Sequence, residues 1–212
     1  MSKTDDLIIQ LSGSPVRAPL RQRRLAAIAT LAMLVPVALF LAEFGMRRGL
    51  MSAWSNPVVI LKTLLPLGIC GLSLVLLLRL IRPEARIGRA GYGYAAPVAV
   101  ALLLWAGAFI SRAPQARFAE VGTFSLTECL GSILMLSIVP LVGLLMLARQ
   151  GASTAPQLSG ALVGLTAASG VTAGYSLFCT RDNPLFFVTW YGVAILIVTV
   201  VGAIVGRRVL QW

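Results

Sequence analysis

Histidine is absent from the 212 residues, only seven residues are acidic, and charged side chains of both signs make up 12% of the chain. Soluble domains carry roughly a quarter, so too little polar surface is available to cover a water-facing globule. The sequence also lacks GxSxG, a P-loop and a CxxC pair. Those absences remove the usual arrangements for nucleophilic, phosphoryl-transfer and dithiol catalysis. No ionisable residue falls near the centre of an apolar run, where pumps and transporters keep the charges that mark an ion path. A non-enzymatic protein without a cofactor is expected.

What is present is apolar: 58% of residues are hydrophobic, and the mean hydropathy is +0.89. The apolar residues form runs near the roughly 20 needed to cross a bilayer as helix, at Leu25 to Phe44, Thr63 to Ile81, Tyr94 to Ser111, Leu126 to Ala148, Gln157 to Phe178 and Leu185 to Val205. The fold class expected is an all-α membrane protein, a six-transmembrane-helix bundle. Residues 25–212 form the membrane domain and residues 1–24 a short cytoplasmic N-terminal segment. That opening segment is too polar and too long to be the basic head of a cleaved signal peptide.

The formal charge of +11 does not point to direct nucleic-acid binding, because the basic residues cluster at the ends of apolar runs instead of in one patch. With a cytoplasmic N-terminus, twelve of the eighteen basic residues fall on inner segments, leaving Arg47, Arg48, Lys62, Arg112, Arg117 and Arg181 outside. The positive-inside rule therefore places both termini in the cytoplasm. Glu43, Lys62, Arg79 and Glu128 lie close to span ends, where long side chains reach the headgroups.

Pro36, Pro66, Pro97 and Pro140 fall within the spans, where a bundle tolerates them. Gly160, Gly164 and Ala168, then Gly170 and Gly174, set small residues at four-residue spacing on the fifth span, and Gly202 and Gly206 do so on the sixth. Such spacing serves close packing inside one bundle or a homodimer. Trp54, Trp190, Tyr191 and Trp212 suit interfacial anchoring. Trp190 and Tyr191 lie deeper, at the level of the helix ends that carry the cysteines.

There are three cysteines. Cys70 reads as an apolar filler within the second span. Cys129 opens the fourth span and Cys179 follows the fifth, at the same outer level, which leaves two readings: packing residues, or a thiol pair exposed to an oxidising compartment. Glu128 and Asp182 add carboxylates, making Glu128, Cys129, Cys179 and Asp182 weak candidates for a soft metal, although their spacing matches no zinc motif and no metal site is assigned.

In the N-terminal segment, Thr4 can cap a short helix whose start suits Asp5 and Asp6, and Leu7, Ile8 and Leu11 form its apolar face. A helix this short orders only against a partner or a membrane. It reads either as a docking peptide or as a tail dipping into lipid, with Arg17, Arg21, Arg23 and Arg24 on the headgroups.

The Thr4-Asp5-Asp6-Leu7-Ile8 start, Glu128-Cys129-Leu130, and Phe178-Cys179-Thr180-Arg181-Asp182-Asn183-Pro184 leading to Trp190-Tyr191-Gly192 together resemble the NrsF-like membrane anti-sigma factors. The resemblance implies a bacterial inner-membrane protein that holds an extracytoplasmic-function sigma factor away from RNA polymerase until an envelope signal arrives, with redox or heavy-metal stress the expected class. It implies that the family's paired outer cysteines correspond to Cys129 and Cys179. Sigma-factor docking then falls to Asp5, Asp6, Leu7, Ile8 and Leu11, and the loop from Arg82 to Arg89 is available to share that surface. The competing reading is a small multipass transporter or a thiol-disulfide exchange enzyme.

The charge distribution makes a direct prediction. Reporter fusions after Arg89, Arg149 and Trp212 should report cytoplasm, and fusions after Arg48, Arg117 and Arg181 should report periplasm; a cytoplasmic signal at Arg181 would put the cysteines on the wrong side for a periplasmic thiol pair.

Overall fold

The computed structural model describes Thr4 and residues 22–80, 88–118, 122–151 and 153–211. The expected docking residues Asp5, Asp6, Leu7, Ile8 and Leu11, the greater part of the Arg82 to Arg89 loop, and Trp212 lie outside the described residues. Among the described residues the chain is helical, with no strand. Six long helices follow one another: α1 (Gln22–Phe44), α2 (Pro57–Leu80), α3 (Ala95–Ser111), α4 (Thr123–Ala148), α5 (Pro156–Tyr175) and α6 (Pro184–Val209).

Local chemistry sets their ends. Proline opens α2, α5 and α6, where its missing N–H leaves nothing unpaired. Asn56 and Asn183 precede two of these helices, and their side-chain oxygens accept from Val58 N at 2.9 Å and Leu185 N at 3.1 Å. Gly45, at φ 80°, follows α1 in the left-handed conformation that closes helices. The Asn56 cap starts α2 six residues before the expected Thr63, which brings Lys62 into the helix. Pro36, Pro66 and Pro140 are interior to their helices. Pro97 lies, as expected, inside a span, within the helical stretch 88–111 and near the start of α3.

Five helical stretches are long and apolar enough to cross a membrane: 23–44, 57–80, 88–111, 127–148 and 184–209. Large hydrophobic side chains such as Leu31, Leu39, Leu103, Ile110, Met135 and Leu196 are exposed on the outside of the bundle, a surface suited to lipid and not to water. The fifth expected span, α5, differs. Its serines, threonines and glycines make it less apolar than the rest, and it is the most enclosed helix, packed against α6, α2, α4 and α1.

Neighbouring helices alternate in direction. One core cluster joins Leu25 of α1, Leu76 and Leu80 of α2, Leu144 of α4 and Leu162 of α5 to Leu210. The other joins Val37 of α1, Cys129 of α4, Val171 and Tyr175 of α5 and Phe186 of α6 to Cys179. The start of α1 and the end of α6 therefore lie at one end of the bundle, hereafter the arginine end, and the cysteines lie at the other.

The small residues bring backbones into contact within the bundle. A Cβ added at Gly202 would lie 2.5 Å from the Gly160 carbonyl oxygen, and one at Gly206 would lie 2.5 Å from the Gly160 Cα. Across α5, a Cβ at Gly170 would lie 2.6 Å from Met33 Sδ, and one at Gly174 would run into Val37. Both stripes are thus used inside the bundle, one against α6 and the other against α1.

Because a backbone cannot yield as a side chain can, Gly202→Ala and Gly160→Ala should each destabilise the detergent-solubilised protein by about 1–3 kcal/mol, read as a lower melting temperature. Gly192→Ala, on the same helix as Gly202 but with open space at its Cβ, should melt like the parent.

Candidate functional site

At the cysteine end, the segment between α5 and α6 folds over the bundle. The last turn of α5 continues through Ser176 N to Thr172 O and Cys179 N to Tyr175 O, at 3.0 and 3.1 Å. This carries Cys179 to the head of the core cluster that contains Cys129.

One buried cation organises this segment. Lys62 is 1% exposed, and its Nζ donates to the carbonyls of Cys179 and Arg181, each at 2.8 Å, and to Asp182 Oδ1 at 3.1 Å. All three ammonium protons are thereby taken. The rings of Phe187 and Tyr191 stand 6.0 and 5.9 Å away, within reach of a cation–π contribution. Lys62, expected to reach for headgroups, instead turns into the protein, because a loop rich in acceptors lies closer than the interface does.

Asp182 completes the clasp. Its Oδ1 also takes Arg47 Nη1 at 2.8 Å, and Arg47 N donates to Leu177 O at 3.1 Å. Burial raises the Asp182 carboxyl, but the Arg47 hydrogen bond and the Lys62 charge outweigh it and hold the group below its ordinary value. The hydrogen bond to Asp182 likewise holds Arg47 above its own. The clasp's contribution is therefore full at neutral pH and is lost only as pH falls through the lowered carboxyl value. Asn183 adds a tie of its own, with Nδ2 donating to Arg117 O at 3.3 Å, so the segment after α3 joins the same cap.

Cys129 and Cys179 are both buried free thiols, within interaction range of each other. The neighbouring Cys129 thiol, and after it the Lys62 charge, draw the Cys179 thiol below its ordinary value against the effect of burial. The Tyr191 hydroxyl is buried without a hydrogen-bond partner among the described residues, so a Cys179 thiolate would supply its acceptor. A cavity of about 210 Å³ lined by both cysteines, Tyr175, Arg47, Glu128 and Arg181 opens onto the pair. Tyr191 lies in the cysteine cluster and Trp190 packs against it, as the depth of these residues in the sequence suggested.

The weak metal candidates do not converge. Among the described residues no three His, Cys, Asp or Glu side chains form a metal-binding group; Glu128 is exposed and the Asp182 carboxylate is engaged by two cations. What the arrangement does is hold two buried thiols in one cluster beside a small cavity. Sequence reasoning missed the clasp. The available signal was that Arg47, Lys62 and Asp182, charges of opposite sign, share one expected membrane level.

Lys62→Met leaves Asp182 paired with Arg47 but takes the donor from the Cys179 and Arg181 carbonyls, so it should destabilise the protein by about 1–3 kcal/mol and should move the pH midpoint of Cys179 alkylation upward. Thermal melting and peptide-resolved alkylation against pH would check both; no change in either would detach Lys62 from the thiol site.

Comparison with family models matches residues 12–212 to the family described as NrsF, negative regulator of sigma F. Neither the curated proteins nor the solved structures provide a match. Since the family match runs from the N-terminal segment through all six helices and both Cys129 and Cys179, the chain belongs to the NrsF family, the negative regulators of sigma F.

Proposed function

We propose that this negative regulator is a membrane anti-sigma factor that holds an extracytoplasmic-function sigma factor at the bacterial inner membrane and releases it when an envelope signal, oxidative or from a thiophilic metal, reaches Cys129 and Cys179. It acts by binding and not by catalysis. Residues 25–212 cross the membrane six times, α5 included, and residues 1–24 lie in the cytoplasm with both termini. Family membership supports the sigma-factor partner. The observation that carries the sensing half is the pairing of two buried thiols beneath the Lys62 clasp, beside a cavity that admits small reagents.

Support for the six-span arrangement comes from direction. α5 runs antiparallel to α6 along most of its length, and the chain's first and last described helix ends meet in one cluster. The excess of basic residues at that end suits the cytoplasmic leaflet. Oxidation or metal capture at the thiols shifts the segment between α5 and α6. Through the glycine contacts of α5 with α1 and α6, that shift reaches the opposite end, where the docking surface of Asp5, Asp6, Leu7, Ile8 and Leu11 begins.

Burying a leucine is worth about 2 kcal/mol, and a charge in its place costs more. Leu7→Asp or Leu11→Asp should therefore weaken sigma-factor co-purification more than tenfold without loss of membrane insertion. Cys129→Ser, Cys179→Ser and the double variant should keep basal sigma binding but blunt the transcriptional response to oxidants or thiophilic metals, with the double no worse than either single. Retained binding in both aspartate variants would move docking to the cytoplasmic loops, and a wild-type response in all three serine variants would leave the cysteines as packing residues.

A further inference from the structure

Midway through the bundle, α1 and α2 make little contact with each other, and a groove of about 730 Å³ runs between them over Gly170, Ala173 and Gly174 of α5. Two sulfur atoms from different helices meet in it. The Cys70 thiol of α2 rests on Met33 Sδ of α1 at 3.7 Å, and both residues line the groove. Gly170 makes room for the pair, since a Cβ there would lie 2.6 Å from Met33 Sδ and 3.1 Å from Cys70 Sγ. The hydroxyls along the groove are engaged within the protein: Thr30 Oγ1 donates to Ala26 O at 2.9 Å, and the Thr63 and Ser176 hydroxyls pair at 2.7 Å. The two sulfurs are therefore the donors that the groove offers to a ligand.

Donor type narrows the choice of ligand. A thiolate with a thioether is a soft set that favours an ion such as Cu(I) over hard cations, which seek oxygen. Charge narrows it again. No acidic or basic side chain lines the groove, so the one negative charge that Cys70 can supply, as thiolate, is all that balances a bound cation. A monovalent ion that enters as the thiol proton leaves exchanges one positive charge for another, and the site stays neutral. A divalent ion would leave a net charge in an apolar bundle, at a heavy desolvation cost. Geometry permits the contact: metal–sulfur bonds of about 2.3 Å span sulfurs 3.7 Å apart at an angle of roughly 105–110°, and the unbranched methionine side chain adjusts readily.

We propose that Cys70 and Met33 form a binding site for a soft monovalent metal ion, Cu(I) or Ag(I), held by thiolate and thioether between α1 and α2. On binding, the Cys70 S–H bond breaks, a metal–sulfur bond forms, and the proton is released to solvent. The bound ion ties together two helices that otherwise scarcely touch. The site is separate from Cys129 and Cys179, which belong to the cluster at the cysteine end, and it does not depend on the sensing role proposed for them.

Titration of the detergent-purified full chain with silver(I), followed by native mass spectrometry and thermal melting, would check the proposal. The chain carrying Cys129→Ser and Cys179→Ser, with Cys70 its last thiol, should bind one silver ion and melt higher in its presence. Around neutral pH its affinity should rise about tenfold per pH unit, the mark of one proton released per ion. Adding Met33→Leu, a volume-conserving change, should weaken silver binding at least tenfold and leave the metal-free melting temperature unchanged, and adding Cys70→Ser should abolish binding. Cadmium(II) should bind at least tenfold more weakly than silver. Should the serine background fail to fold, Met33→Leu in the otherwise unaltered chain should lower the silver retained on dilution by one equivalent. Silver held equally well without the Met33 thioether would overturn the two-sulfur site, and an affinity indifferent to pH, or cadmium bound as tightly as silver, would overturn the monovalent assignment.

Discussion

A lysine ammonium removed from water at the edge of an apolar bundle must find acceptors, and the way Lys62 finds them governs the cysteine end of this protein. Its three protons go to two backbone carbonyls and one carboxylate of the segment between α5 and α6. That segment cannot drift without leaving the charge unpaired, a penalty of several kcal/mol in so dry a setting. Arg47 holds the same carboxylate from the side of α1. Three parts of the chain far apart in sequence are thus tied at one point, and Cys179 is part of the tie because its carbonyl is one of the acceptors.

The same constraint bears on the chemistry of the thiol at this position. A cysteine buried among aromatic rings is ordinarily inert. Cys179 departs from that rule because the Cys129 thiol and the Lys62 charge lie near it and draw it down. The glycine contacts of α5 are stiff, since backbones packed without intervening side chains have little slack: a shift of α5 meets α6 at Gly202 and α1 at Val37.

Against this rigid half, the space between α1 and α2 is loose. α1 is held chiefly by α4 and α5, and its exposed face carries Leu31, Leu34, Val35 and Leu39. The bundle is thus tied at its cysteine end and along the α5–α6 seam, and open beside α1, the helix that leads into the N-terminal segment.

The sequence by itself determined that the chain is helical and apolar and where its long helices lie, because run length and composition report directly on the solvent a helix requires. It also set the equal level of Cys129 and Cys179 and the small-residue spacing on α5 and α6, both of which follow from helical period and chain direction. Only the tertiary structure decided that Lys62 turns inward, that Arg47 and Lys62 share Asp182, and that the glycines of α5 face two different partners. Those outcomes rest on which loop folds over which helix end, a relation between residues more than a hundred positions apart that no local period encodes. The groove beside α1 belongs to the same class, since a gap between helices is defined by what fails to meet, and that can be seen only when every helix is in place.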